Sequence, residues 1–176
     1  YFADRFFEGT WINGVNCSQM TAAEVENLFK QKFENYTIEV SARDQAPQTI
    51  SGADISYQYL STGEVLKLLK QQKPYEWIKG LYEQKSYTVS ENTGYNRTQL
   101  QEQLKTLSCA QAENQTEPEN AYVAYQNGQF VIVPETVGSK LNIKEAYKVL
   151  NAAVDAGQTS VNFSDTPEAY VNADVT

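Results

Sequence analysis

Histidine is absent from all 176 residues. No Ser-His or Cys-His nucleophile pair and no His-based zinc site can therefore be built within this chain. Cysteine is nearly absent as well. Cys17 and Cys109 are too few for a zinc cluster and too far apart in sequence for a redox pair. They are expected as two separately buried thiols rather than as a bridge. Positive charge is scarce: 14 Lys and Arg against 22 Asp and Glu leave a formal charge of -8. Binding to phosphates needs clustered Lys and Arg, so this balance argues against nucleic acid, an anionic membrane surface or a teichoic-acid-like polymer as partner. No apolar run approaches the ~20 residues of a membrane span, and no signal-peptide core occurs. The sequence starts at Tyr1 rather than Met and so reads as a fragment of something longer, with any targeting or anchoring segment upstream.

What remains is a globular composition, 41% hydrophobic and 20% charged, in a length that suits one ordinary domain or two small ones. The clearest local signals lie between Ala121 and Phe163. Asn127-Gly128 between two apolar runs predicts a hairpin, because a type I′ turn needs φ > 0 at both central residues. Pro134 cannot donate to a sheet ladder and ends the second strand or places it at an edge. Asn142 with Glu145 has capping-box spacing, and Ile143, Ala146, Tyr147, Leu150 and Val154 share a helical face that ends near Gly157. The expectation is a hairpin with this helix laid on it and a returning strand.

The same grammar runs through the first half. Residues 6–15 read as a strand with a turn at Asn13-Gly14. Thr21 with Glu24 opens a helix whose Ala22, Val25, Leu28, Phe29 and Phe33 form a core stripe. Alternating runs follow at Tyr36–Ala42 and Ile50–Tyr59. Ser61 with Glu64 caps a second helix, an aromatic-rich segment covers Pro74–Tyr82, and Ser86–Val89 is a short strand. Asn96 with Gln99 opens a helix bearing Leu100, Leu104 and Leu107. Ala110–Asn120 is polar and unpatterned, an exposed loop or an inter-subdomain linker. The spacing of the helix at Glu24–Phe33 echoes that at Glu145–Val154, and each is followed by an alternating strand, which suggests two subdomains of shared topology. Five Asn-x-Ser/Thr sequons, at Asn16, Asn35, Asn96, Asn114 and Asn162, read as chance in a chain rich in these residues.

The fold class expected is α+β: two small mixed subdomains at residues 1–90 and 91–176, each a few-stranded antiparallel or mixed sheet with helices packed on one face.

Two stretches resemble a known family. Ile12-Asn13-Gly14-Val15-Asn16-Cys17-Ser18-Gln19-Met20-Thr21-Ala22-Ala23-Glu24-Val25 is similar to a "V-N-G-x-D-V-S-G-L-T-x-E-E-A" segment of Gram-positive envelope proteins. Phe130-Val131-Ile132-Val133-Pro134-Glu135, with Gly138, Leu141-Asn142 and the helix to Gly157, resembles the "F-x-I-x-P-E…G…L-D" signature of the peptidoglycan-binding domain that precedes the catalytic domain in L,D-transpeptidases and also occurs in VanW-like proteins. Three positions depart from that pattern. Cys17 replaces an apolar residue, Gln19 replaces a Gly, so the loop is expected to change turn type, and Ala173 stands where a Pro often follows the late Tyr, here Tyr170. The transpeptidase's own Ser-His-Gly-Cys-type motif is absent, so the covered chain has no catalytic residues of that kind.

The resemblance implies a non-catalytic, extracytoplasmic module of a Gram-positive cell envelope that binds peptidoglycan, by its glycan or its stem peptide. It would position a downstream catalytic domain in the same chain, with an upstream membrane anchor. A stalk or spacer without a ligand, and a regulatory domain that contacts an adjacent active site, are the alternatives. No cofactor and no metal is expected. Candidate ligand-binding residues are Tyr122, Tyr125 and Phe130, as platforms for sugar rings, and Glu135, for a stem-peptide amine or amide. A glycosidase-like carboxylate pair would have to combine Glu135 with Asp155 or Asp165, and no motif brings them together.

Overall fold

A computed structural model describes residues 4–172; Ala173 lies outside them. Along the chain run β1 (Thr10–Ile12), β2 (Val15–Asn16), α1 (Ala22–Glu34), β3 (Thr37–Ala42), β4 (Gln45–Ser51), β5 (Gln58–Leu60), α2 (Glu64–Gln71), β6 (Lys85–Tyr87), β7 (Asn92–Gly94), α3 (Arg97–Thr106), β8 (Tyr122–Gln126), β9 (Gln129–Val133), α4 (Ile143–Asp155) and β10 (Ser160–Asn162). This is an α+β fold built from four helices and several small sheets. It forms two compact units that interleave along the chain. Residues 1–35 and 57–95 make the first, and residues 36–56 and 96–176 the second. Residues 36–56, read from sequence as part of an N-terminal half, thus belong with the later residues.

In the first unit, β1 is paired antiparallel with β2 and parallel with β6, and β5 pairs with β7. The Asn13-Gly14 turn joins β1 to β2 with φ of 50° and 78°, both positive as a two-residue type I′ loop requires. Thr21 makes the full capping box for α1: its hydroxyl accepts from Glu24 N–H at 3.2 Å and the Glu24 carboxylate accepts from Thr21 N–H at 2.7 Å. Val25 and Phe29 of α1 are buried with Phe6, Ile12, Cys17, Val65 and Leu69. Each such side chain contributes ~1.5–3 kcal/mol relative to exposure.

The second capping box does not form. Gly63, at φ 75°, is the N-cap of α2, and the Glu64 carboxylate instead accepts from Ser90 N–H and the Ser90 hydroxyl. Ser61 accepts from Gly63 N–H and donates to Glu26. A partner far along the chain outcompetes the local one.

The second unit is built on the sheet β10-β3-β4, with β3 central, parallel to β10 and antiparallel to β4. Ile38, Val40 and Ile50 point inward and are buried; Leu100 and Leu104 of α3 and Ala146, Leu150 and Val154 of α4 are buried too. Asn96 caps α3 by accepting from Thr98 and Gln99 N–H, and Asn142 caps α4 by accepting from Glu145 N–H. The run Ile50–Tyr59 is not one strand. A 3-10 turn at Ala53–Ile55 and a left-handed Ser56 (φ 54°) break it. The polar run Ala110–Asn120 lies wholly within this unit and is not a linker between units. It starts in 3-10 turns at Ser108–Ala110 and Ala112–Asn114. The strands that follow the two similar helices, β3 and β10, lie side by side in this one sheet.

Three sequon asparagines have a local structural role. Asn16, Asn96 and Asn162 each accept from the N–H of the Ser or Thr two residues on, as in an Asx turn. Cys17 and Cys109 are both free and buried, and burial pushes both thiols up from their ordinary pKa.

Candidate functional site

The apolar side chains of the β8–β9 hairpin are largely uncovered among the described residues. Asn127 and Gly128 adopt φ of 49° and 82°, the type I′ geometry that a two-residue loop needs to match strand twist. That loop fixes the register: Tyr125 opposes Phe130, Val123 opposes Ile132 and Tyr122 opposes Val133. Directly opposed residues share a face, and the faces alternate along each strand. Val123, Tyr125, Phe130 and Ile132 therefore stand on one face, 64–77% exposed. The Tyr125 and Phe130 rings meet edge to face with centroids 5.0 Å apart.

Of the residues picked from sequence, the structure brings Tyr125 and Phe130 together. Tyr122, 56% exposed, is on the opposite face. Glu135 is exposed and lies beyond Pro134, past the end of β9. Asp155 ends α4 and pairs with Arg97 at 3.3 Å. Asp165 lines a groove along β10 with Glu39, and Glu135 is not among that groove's walls. Val123 and Ile132 were missed, although the register implied by Asn127-Gly128 places them beside the two rings. The α4 helix does not cover the hairpin, contrary to the sequence expectation; it packs on α3 and β10. The apolar residues of both strands suggested burial, yet nothing among the described residues shields this face.

The hairpin stands on a well-tied base. Glu119 and Thr136 exchange backbone hydrogen bonds of 3.2 and 3.0 Å, and these extend the ladder past Pro134. Thr116 C=O accepts from both Ser139 and Lys140 N–H, and Thr116 N–H donates to the buried Ser139 hydroxyl. Gly138 is sterically required there. A Cβ on it would lie 2.6 Å from Pro118 N and from Thr116 O, closer than real Cβ atoms approach backbone. Gly138 C=O also accepts from the Arg43 guanidinium at 3.1 Å. The Pro-Glu…Gly part of the sequence signature is thus the scaffold that holds the finger, and the Phe-Val-Ile-Val part is the finger.

Electrostatics and shape agree on what this face can do. Residues 121–134 contain no charged side chain in a chain of net charge -8. An uncharged aromatic and aliphatic strip can cover the C–H face of a sugar ring, and it carries no carboxylate, thiol or amine for acid–base or nucleophilic chemistry. Among the described residues, no group of three or more His, Cys, Asp or Glu is placed to hold a metal ion, and no helix is long and apolar enough to cross a membrane.

A family model described as "Putative peptidoglycan binding domain" matches residues 48–162, from within β4 through β10, and so includes the whole hairpin and its base. The chain belongs to that family. Neither a curated protein nor a solved structure matched it. Membership in the peptidoglycan-binding family supports a cell-wall binding module with peptidoglycan as its partner. Gln19, expected from the sequence resemblance to replace a Gly, has φ 61°. Its backbone is left-handed, a conformation that glycine adopts without a Cβ penalty. Its backbone is held by Arg5, which donates to Gln19 C=O at 2.8 Å, and its amide donates to Glu8 at 2.8 Å.

Proposed function

We propose that the hairpin face of Val123, Tyr125, Phe130 and Ile132 is the surface through which this module contacts the glycan of the cell wall, with Tyr122 and Glu135 as flanking contacts. The observation that carries the reading is an exposed, uncharged aromatic face on a rigid base in a chain of the peptidoglycan-binding family. An acidic protein near an anionic wall gains from a contact strip that carries no charge of its own. In this reading the chain is a non-catalytic, extracytoplasmic part of a Gram-positive envelope protein. It precedes an L,D-transpeptidase domain and follows a membrane anchor. Wall contact would raise that enzyme's effective concentration at its substrate without adding chemistry.

Co-sedimentation with purified sacculi is the test. The chain pellets with sacculi at low and moderate salt, and Tyr125→Ala with Phe130→Ala weakens binding by about tenfold or more, ~1.4 kcal/mol per decade. Tyr122→Ala, on the other face, has a smaller effect. A chain that stays in the supernatant at both salt levels overturns wall binding and leaves a spacer.

A further inference from the structure

The first unit contains a cavity of about 240 Å³ between α2 and the β1–β6 pair. Its position follows from two glycines. A Cβ on Gly9 would lie 2.7 Å from Glu83 O and 2.8 Å from Gly80 O, and one on Gly80 would collide with Glu8 O. The two backbones touch there as only glycine allows, and the parallel β1–β6 pairing then sets Thr10 against Lys85. Leu68 of α2 and Gln72, which caps its C-terminus, also line the cavity. Gln72 is fixed: its carbonyl accepts from Phe7 N–H and its amide donates to Arg5 C=O, each at 3.0 Å.

The polar groups of this cavity are less committed. Thr10 is 2% exposed, lines the cavity, and its hydroxyl makes no hydrogen bond among the described residues. Lys85 Nζ lies 3.7 Å from Glu76 Oε2, an ion pair too long for a hydrogen bond. Glu8 uses one carboxylate oxygen for Gln19. Lys85, Glu76, the exposed Glu8 and the buried Thr10 line a space smaller than the ~300–1,000 Å³ of sites for drug-sized molecules, and Glu76 also pairs with Lys79 at 3.9 Å.

We infer that this cavity binds the zwitterionic terminus of an amino acid or dipeptide, its carboxylate on Lys85 and Thr10 and its ammonium on Glu8 and Glu76. Both signs of charge are present within one small recess, so a ligand with both ends complements it better than an anion or a cation alone. A volume of about 240 Å³ suits an amino acid or a dipeptide. The site is separate from the hairpin and does not rest on the wall-binding reading.

The test is amide chemical-shift titration of the 176-residue chain with alanyl-alanine, beside its N-acetylated and its C-amidated forms. The free dipeptide shifts Thr10, Gln72 and Lys85 amides saturably, with a Kd of the order of 1 mM, and neither blocked form does so. Lys85→Met keeps the aliphatic stem, removes the charge and weakens binding by about tenfold or more. Absence of saturable shifts at these positions, binding that survives either block, or unchanged affinity in Lys85→Met overturns the assignment. Sacculus pelleting reads the hairpin independently, so either proposal can fail alone.

Discussion

Arg43 and Tyr170 hold each other twice. The Arg43 N–H donates to the Tyr170 hydroxyl at 2.9 Å, and the Arg43 guanidinium carbon lies 4.0 Å from the centre of the Tyr170 ring. Tyr170 is 2% exposed and its backbone bridges to Leu141, just before the cap of α4. Tyr170→Phe removes only the hydroxyl and leaves a partly buried N–H without its acceptor. It is expected to lower stability by about 1–2 kcal/mol, read as the urea midpoint at unchanged slope. An unchanged midpoint would show that the hydroxyl contributes nothing.

Gln19 offers a gain in stability. A left-handed backbone costs a residue with a Cβ roughly 1–2 kcal/mol, and its side-chain bond to Glu8 is exposed and worth little. Gln19→Gly is therefore expected to raise thermal stability, by the order of 0.5–1 kcal/mol once glycine's extra unfolded-state freedom is deducted. A drop in Tm would mean that the Gln19 amide matters more than its backbone strain.

Alkaline pH tests the surroundings of Tyr59. This phenol is 5% exposed, and its pKa is pushed up to about 12 by burial first and then by the Glu26 carboxylate. Neither its oxygen nor Glu26 Oε2 has a hydrogen-bond partner among the described residues. A pKa raised in the folded state contributes stability below the unfolded value of about 10 and loses it as pH climbs through the folded value. From pH 9 to pH 11.5 the wild type should lose about 2 kcal/mol more than Tyr59→Phe. Equal losses, measured by denaturant unfolding at both pH values, would place the phenol in an ordinary environment.

How much of this was legible beforehand depended on how far along the chain each cause lay. The turn at Asn127-Gly128, the Thr21 capping box and the stripes of α1 and α4 are set by residues within a few positions of one another, and all could be read. Ser56 was not legible. Nothing in its identity marks the left-handed conformation that ends the run from Ile50, and its hydroxyl's partner, Gln99, is remote. The capping box at Ser61 failed for the same reason, since Ser90 claims the Glu64 carboxylate. At the candidate site, Tyr125 and Phe130 could be chosen from sequence and Val123 and Ile132 derived from register. The exposure of that face could not, because an apolar run reads as buried unless the neighbours that fail to cover it are known. Thr10 and Lys85 are adjacent only through a parallel pairing that no short-range signal announces.

The interleaving of the two units has a consequence for how the chain is made. β3 pairs with β10, Glu39 against Ser160, so the central strand of the second unit emerges during synthesis more than a hundred residues before its parallel neighbour. Closing so long a loop is slow. Until it closes, one side of β3 offers a bare ladder to any other strand nearby. The early hairpin partner β4 protects only the other side. A chain released or exported before Ser160 would therefore carry an open edge, and chaperone capture of nascent chains should be strongest between the appearance of β3 and that of β10.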